Sequence, residues 1–491
     1  MSSEKVTLWK RITDFWSIYR RSKMGLVGLA ILASFVFMAI FAPFLTPYDP
    51  ITDRELADWL AYPDWIGLID PGKSNLPQNV EVPIVKQVLQ GKGEATASNS
   101  SLIQTTPGSD SLVIEVLDPV GASFHSENLT IKGYFNYQFD PPDTLMISIW
   151  GKLTGDTDNF YLKASFDVTK PNGEKVKVWE SMFTEGFLTS INMGEKFKVR
   201  SSSPVLLMRL GLPPTKEALA HKVFTEKGTF QLQAIFEFIT LGAGRPGRLK
   251  LELRDLRFIV LGLRFGVMGT DDMARDIFSQ IVYGSRVSLM VGFATAFTSV
   301  MLGVLVGMVA GYVGGRVDEA LMRFADLIMV LPGLPLIIVV AMMIKGSLTE
   351  IVLLLSLLGW GGGARTMRAF VLSIKNKVFV EASKARGAGT WRIIFRHILP
   401  AVMPLAYAGM ALAAPIAITT EAELSFLGVG GSPFIISWGK ILQFAQTRGA
   451  FQYKAWWWII PPGLCIALIS LGFIMIGHSL DEILNPRLRR R

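Results

Sequence analysis

The sequence predicts an α-helical integral membrane protein with six transmembrane helices and an inserted all-β, sandwich-like domain. Half of the 491 residues are hydrophobic and cluster in long runs, and the chain between the first two runs alternates apolar and polar residues as strands do. Lys and Arg are concentrated beside the apolar runs, which predicts how the helices are oriented.

Six apolar stretches define the predicted spans. Four of them contain no Asp, Glu, Lys or Arg and are long enough to cross a hydrocarbon core of about 30 Å. Two shorter stretches, one with Pro332 and Pro335 and one with Glu350 near its start, are assigned as the third and fourth spans. The predicted spans are residues 24–48, 287–315, 327–344, 346–364, 398–420 and 455–480.

The first apolar run is predicted to be retained as a helix. It follows the polar, basic segment 1–23, and it is longer than the apolar part of a typical signal peptide. Cys465 is the single cysteine and lies in the last run, so an intrachain disulfide and a Cys-based metal cluster are excluded. We expect no redox function, and no metal or cofactor bound by this chain.

The basic residues predict the topology. Segment 365–397 carries eight Lys and Arg against one acid, Glu381, and is predicted to be cytoplasmic. Both termini are predicted to be cytoplasmic as well, because of Lys5, Lys10, Arg11, Arg20, Arg21 and Lys23 before the first span and Arg487, Arg489, Arg490 and Arg491 after the last. Since the net charge of +9 is concentrated beside the membrane, nucleic acid is not the expected partner.

Residues 52–258 have the composition of a soluble β domain and are predicted to lie outside the cell. Alternating runs are separated by turn signals, including Pro171-Asn172-Gly173, which is typical of a hairpin. His125 and His221 are read as isolated surface or core histidines, and glycosylation at Asn99 or Asn128 stays open. The domain could contact a substrate-binding protein, cover a pathway or brace the helices.

Residues 381–400 have the pattern of a helix, a break containing glycine and a second, amphipathic helix. Trp391, Ile394, Phe395 and Ile398 recur at helical spacing in the second part. Such a segment suits a plug that docks in a partner's socket, and it equally suits a helix on the lipid surface.

This segment resembles the EAA signature of ABC importer permeases, in the positions Glu381, Ala382, Ser383, Gly387, Leu399 and Pro400. Ser383 replaces the usual third alanine, and His397 replaces a usual isoleucine before Leu-Pro. Further segments resemble the dipeptide/oligopeptide permeases, specifically the partner with the short N-terminal tail: RRSKMG at 20–25, GTDDMARD at 269–276, DEALMRFADLIMVLP at 318–332, EAELSFLG at 421–428, SWG at 437–439 and NPR at 485–487. The insertion of residues 52–258 departs from that family.

The resemblance implies a type I ABC importer-like core over residues 265–491 in the plasma membrane. The implied partners are a second permease in a heterodimer, two ATP-binding subunits and an extracytoplasmic substrate-binding protein. The sequence has no G-x-x-x-x-G-K-[ST] loop, so ATP and Mg are expected on the partners and this chain is not expected to be an enzyme. The implied cargo is a dipeptide or oligopeptide; nickel, opines and oligosaccharides are alternatives.

Two interpretations remain open for four of the candidate site residues. Gly387 permits a bend against the partner or simply ends a helix, and Glu381 pairs with a basic residue of the ATPase or is solvated. Pro400 marks the start of the fifth span. Glu421 and Glu423 line the pathway or face water at the outer interface.

Arg323 and Asp326, one helical turn apart, predict an intrahelical ion pair. Two other classes of membrane protein are alternatives to the importer. A secondary transporter would require mid-span carboxylates and inverted repeats, and a membrane-bound enzyme or receptor would require a nucleophile or metal constellation in residues 52–258. Neither pattern is evident.

Overall fold

A computed structural model describes residue 13 and residues 16–118, 125–155, 160–181, 191, 196–240, 247–343, 347–429 and 435–484. Two compact units are present: one combines Met1–Asp53 with Asp276–Arg491, and the other is Arg54–Arg275. The predicted basic positions Lys5, Lys10 and Arg11, and everything from Asn485 onward, lie outside the described residues.

The first unit is helical. Its helices, in chain order, are α1 (Lys23–Ile40), α2 (Ala42–Leu45), α7 (Ile277–Val313), α8 (Gly315–Val330), α9 (Gly333–Met343), α10 (Leu348–Ile374), α11 (Val378–Ala385), α12 (Thr390–Ile393), α13 (Leu399–Phe426), α14 (Trp438–Thr447) and α15 (Trp456–Leu484). A π-helical turn, Ile394–Ile398, joins α12 to α13. The numbers α3 to α6 belong to short helices of the second unit: Ile66–Ile69, Ile84–Leu89, Pro204–Arg209 and Ala218–Val223.

Among the described residues, four helices are long and apolar enough to cross a membrane. They are Lys23–Ile40, Ile277–Val313, Thr390–Phe426 and Trp456–Ile483. The pair α8 and α9 would make a fifth span if it crosses as one unit, although its two helices are bent by 84°. The chain is therefore a multi-pass membrane protein.

The structure corrects two predicted boundaries. The helix expected over 327–344 is broken at Leu331-Pro332, because the proline ring excludes the preceding residue from the helical region and supplies no N–H. The loop expected over 365–397 begins later, because α10 continues as a helix to Ile374. At the other end of α10, Ser347 and Glu350 form a capping box that starts the helix.

Glycines allow α7 and α10 to pack closely. A Cβ built on Gly303 would lie 3.0 Å from the backbone nitrogen of Ala364, and one on Gly307 would lie 2.5 Å from its carbonyl oxygen. Gly311 is equally tight, with 3.0 Å to the carbonyl oxygen of Arg368. Small residues four apart are the usual means by which membrane helices approach each other. These close contacts hold α10 against α7, and α10 leads directly into the loop that begins at Lys375.

The described residues of the second unit form eleven strands. They are β1 (Val80–Pro83), β2 (Glu94–Ala97), β3 (Ile103–Pro107), β4 (Leu112–Asp118), β5 (His125–Tyr137), β6 (Thr144–Gly155), β7 (Phe160–Thr169), β8 (Lys175–Glu180), β9 (Lys196–Arg200), β10 (Gly228–Thr240) and β11 (Gly247–Leu261). All the strand pairs are antiparallel.

The strands form two open sheets. One has the order β3-β4-β11-β6-β9, with β1 also beside β11, and the other has the order β2-β5-β10-β7-β8. Alternate side chains of both sheets are buried in one apolar cluster, with Phe166 stacked on Phe258 at a ring-centroid distance of 5.7 Å. The turn at Gly173, which has φ of +87°, joins β7 to β8.

Other features of this unit differ from the expectations. Its described residues include four short α-helices, so the description as all-β is too narrow. It also extends to Arg275, well past the expected boundary at residue 258. His221 lies 3.7 Å from the carboxylate of Asp143 and is not isolated; the side chain of His125 is outside the described part of the chain.

The two ends of the second unit are hydrogen-bonded to each other. The backbone N–H of Leu56 donates to Ala274, that of Leu60 to Asp271 and that of Tyr62 to Leu263, at 2.8 to 3.1 Å. The GTDDMARD segment forms part of this closure: buried Asp271 accepts from the guanidinium of Arg275 at 2.7 Å. The segment thus has a structural role in the turn that precedes α7.

Candidate functional site: the loop between α10 and α13

The loop from Lys375 to Ile398 is built on a buried inner face. Val380, Ile393, Ile394 and Ile398 pack with residues of α7, α10 and α13 in one apolar cluster. Each of the four is at most 1% exposed. The loop is therefore a packed element of the helical unit, held by the same contacts that join the spans.

Its outer face is apolar and uncovered. Val378 is 81% exposed, Phe379 41%, Trp391 62% and Phe395 49%. The rings of Trp391 and Phe395 stack with centroids 5.9 Å apart and planes inclined by 21°. We call these four residues the outer apolar face; exposed aromatic clusters of this kind mark surfaces that bind a partner or a membrane.

Gly387 ends α11 in a Schellman motif. Its N–H donates to the carbonyl of Lys384 at 2.9 Å, and the N–H of Ala388 donates to Ser383 at 3.1 Å. The φ of Gly387 is +76°, a backbone conformation that a Cβ disfavours. No atom of the described chain lies within 4 Å of a Cβ built there, so within this chain the need for glycine is conformational.

The two departures from the EAA pattern are in contact. Ser383 is buried, its hydroxyl donates to the carbonyl of Phe379 at 2.9 Å, and its oxygen lies 3.2 Å from Nε2 of His397. This hydrogen bond ties α11 to the π-helical turn. Alanine and isoleucine at these two positions would make an apolar contact in its place.

The other signature residues lie at the surface or at the junction with α13. Glu381 and Ala382 are exposed on α11. Leu399 packs against the loop's apolar cluster, and Pro400 follows it in the first turn of α13. The π-helical turn directly before Pro400 is consistent with its missing N–H, which removes one backbone bond of a regular helix.

Two ion pairs connect α8 to α10 beside the loop. The guanidinium of Arg368 donates to both carboxylate oxygens of Asp318, at 2.5 and 2.6 Å. Arg365 pairs with Asp326. The predicted intrahelical ion pair between Arg323 and Asp326 was therefore wrong. A bidentate Arg–carboxylate pair fixes orientation as well as distance, and it sets α8 against α10.

Glu421 and Glu423, on α13, have different environments. Glu421 is 1% exposed and accepts a hydrogen bond from the hydroxyl of Ser425 at 2.7 Å, whereas Glu423 is on the surface. Glu421 therefore does not face water in this structure.

The Ser437-Trp438-Gly439 segment, which resembles the peptide permeases, packs at the centre of several helix contacts. Trp438 is fully buried and its indole N–H donates to the carbonyl of Ile281 at 3.0 Å. A Cβ on Gly439 would lie 2.5 Å from Cα of Ala422. Sequence reasoning missed Lys440 beside it, which is only 9% exposed and whose pKa is lowered by burial. A lone lysine next to this apolar segment was the available signal.

Several membrane-spanning helices and a packed loop between α10 and α13 place the chain among helical, multi-pass membrane proteins. Comparison with known proteins gives the class. Residues 303–490 match the family described as binding-protein-dependent transport system inner membrane component, and residues 7–63 match the N-terminal TM domain of oligopeptide transport permease C.

Individual relatives agree with this match. The oligopeptide transport system permease protein OppC of Bacillus subtilis is 38% identical over 222 residues, which are 45% of this chain and 72% of that protein. The dipeptide transport system permease protein DppC of the same organism is 39% identical over 222 residues, 45% of this chain and 69% of that protein. A putative peptide transport system permease protein of Brucella suis is 34% identical over 246 residues, 50% and 80% of the two chains.

The chain therefore belongs to the family of binding-protein-dependent transport permeases that includes these dipeptide and oligopeptide permease proteins. The residues that carried the resemblance in the sequence led to the same family. The two matched ranges leave most of the Arg54–Arg275 unit outside them.

Proposed function

We propose that this chain is the permease subunit of an ATP-driven importer of dipeptides or oligopeptides in the plasma membrane. The observation that carries the proposal is a packed loop with an exposed aromatic face, in a chain whose relatives are named as peptide transport permeases. Those names favour peptides over nickel, opines or oligosaccharides as cargo.

The proposed complex contains a second permease, two ATP-binding subunits and an extracytoplasmic substrate-binding protein. The outer apolar face, with Glu381 and Gly387 beside it, is where an ATP-binding subunit would dock. ATP and Mg would be bound by those subunits, so this chain would be non-catalytic. Motion of the docked loop would reach the spans through its buried inner face and through the Asp318–Arg368 pair.

We further propose six crossings, with α10 as one of them and with both termini in the cytoplasm. The eight basic residues of segment 365–397 support the cytoplasmic position of the loop. The Arg54–Arg275 unit would then lie outside the cell. Glu423, and Glu421 after a rearrangement that exposes it, are the acidic residues proposed for the pathway.

Co-purification from the native membrane tests this assignment. Gly387→Arg places a long side chain beside the outer apolar face, and Gly173→Arg is its matched control. Both glycines have positive φ, +76° and +87°, and a Cβ built on either meets no described atom within 4 Å. The conformational strain is therefore similar, but only Gly387 lies in the loop.

We expect a second permease and two ATP-binding subunits to co-purify with the unaltered chain and with Gly173→Arg. Gly387→Arg should lose the ATP-binding subunits while keeping the second permease. Purification without ATP-binding subunits in all three forms would overturn the importer assignment. Loss of these subunits in both variants would mean that strain, rather than docking, is being measured.

A further inference from the structure

The six-stranded sheet of the second unit has a gap along one edge of β11. β4 accompanies β11 as far as the pair Leu112–Leu253, and β1 accompanies it from the pair Pro83–Arg257. Both lie on the side of β11 opposite β6. Residues 254–256 therefore have no strand beside them on that side in the described part of the chain. At about 3.3 Å per residue, the gap from residue 253 to residue 257 is about 13 Å long.

A cavity of about 770 Å³ lies over this gap. Pro83 and Ser111, at the ends of the two interrupted strands, both line it. Trp150, which is paired with Asp255 across β11 and β6, contributes an aromatic wall. Cations of Lys196 and Arg254 each lie 5.5 Å from the centre of its ring.

Charged side chains of both signs line the cavity, and four of them pair with each other: Arg257 with Asp255 at 2.6 Å and Arg254 with Glu252 at 3.1 Å. Lys86 and Arg257 line it beside β1, whereas Asp110 and Glu252 line it beside β4. Lys86 and Asp110 are exposed, and neither forms an ion pair with any described residue. One cation and one carboxylate thus face the two ends of an unpaired stretch of strand.

We infer that this gap binds a short peptide with free termini. An extended peptide adds to an exposed sheet edge through main-chain hydrogen bonds. It would run parallel to β11, with its ammonium near Asp110 and its carboxylate near Lys86. Since both ends of the gap are closed by strands, the site accepts about three or four residues. This inference rests on the proposed function and adds a capture site for the cargo on the inserted unit.

Isothermal titration calorimetry on the purified full-length chain in detergent tests the site, with tri-alanine as the probe. N-acetyl-tri-alanine amide lacks both terminal charges, and hexa-alanine exceeds the gap. The variants are Lys86→Gln and Asp110→Asn, with Lys92→Gln as the control. Lys86 lies on the short helix α4 (Ile84–Leu89). Lys92 follows that helix and is also exposed, but it does not line the cavity.

We expect saturable binding of tri-alanine that weakens about threefold to fivefold in Lys86→Gln and in Asp110→Asn, the upper part of the range for an exposed ion pair. Lys92→Gln should bind as the unaltered chain does, and the blocked and longer peptides should bind more weakly. The inference is overturned if tri-alanine does not bind, if hexa-alanine binds equally well, or if the two cavity variants leave its Kd unchanged. Because no other subunit is present, such a result leaves the co-purification test of the importer untouched.

Discussion

Replacing Trp391 by alanine should separate docking from stability. A buried tryptophan removes about 150–250 Å² from water, and Trp391 is 62% exposed, so about 90–155 Å² is left for a partner to cover. At about 25 cal/mol per Å², full coverage would contribute about 2–4 kcal/mol to docking. Trp391→Ala should therefore weaken the affinity for the ATP-binding subunit by about thirtyfold or more. Folding should change little, because most of the Trp391 side chain is already exposed to solvent in the folded chain.

Phe451 provides the matched control. It is 67% exposed in the same unit but lies outside the loop, so Phe451→Ala removes a comparable exposed aromatic ring. The assay is binding of the purified ATP-binding subunit to each variant in nanodiscs, by surface plasmon resonance. Thermal unfolding of each variant is measured in parallel.

The reasoning would be refuted if Trp391→Ala bound the ATP-binding subunit as tightly as the unaltered chain. Equal loss in Phe451→Ala would also refute it, since the effect would then not belong to the loop. A large fall in the unfolding temperature of Trp391→Ala alone would show that the ring stabilises the chain itself.

Two further substitutions test the packing and the electrostatics. Gly439→Ala puts a methyl group 2.5 Å from the backbone of a neighbouring helix and should cost about 1–3 kcal/mol, whereas Gly463→Ala, with open space around it, should not lower the unfolding temperature in detergent. Burial raises the pKa of Asp58 above its ordinary 3.8, against the opposing charge of Lys216, so the second unit should lose stability as the pH rises from 3.8 through the folded-state pKa. Asp58→Asn should abolish that part of the decline, and parallel unfolding curves of the two proteins between pH 4 and 7 would contradict this.

Local patterns in the sequence predicted the local structure well. The charge-free runs are helices, because in a membrane every backbone group has to be satisfied within the segment. The alternating runs in the second unit are strands, and Pro171-Asn172-Gly173 is a hairpin turn. The continuous helix expected over 327–344 was wrong: Pro332 is evident in the sequence, but neither the break at Leu331-Pro332 nor its 84° bend was predicted. A bend of that size depends on the packing of α8, which the sequence does not state.

Contacts between distant segments could not be predicted. In the sequence, Ser383 and His397 are two separate departures from the EAA pattern, yet in the structure they are hydrogen-bonded to each other. Asp326 has a suitable partner one turn away in Arg323, but it pairs with Arg365, because the geometry of α8 and α10 decides between two cations of equal charge. The burial of Glu421 likewise depends on neighbours that are remote in the chain. Such choices are made by tertiary packing, which a single sequence leaves open.

The hydrogen bonds that join the two ends of the second unit make it a natural segment to delete or replace by protein engineering. Since the backbone N–H of Leu56 donates to the carbonyl of Ala274 at 3.1 Å, the chain enters and leaves the Arg54–Arg275 unit at nearly one point. A polypeptide with that property is a cassette: it can be cut out, and a linker of a few residues can rejoin the ends without stretching the helices on either side. The helical unit and the Arg54–Arg275 unit could thus be expressed and studied as separable parts.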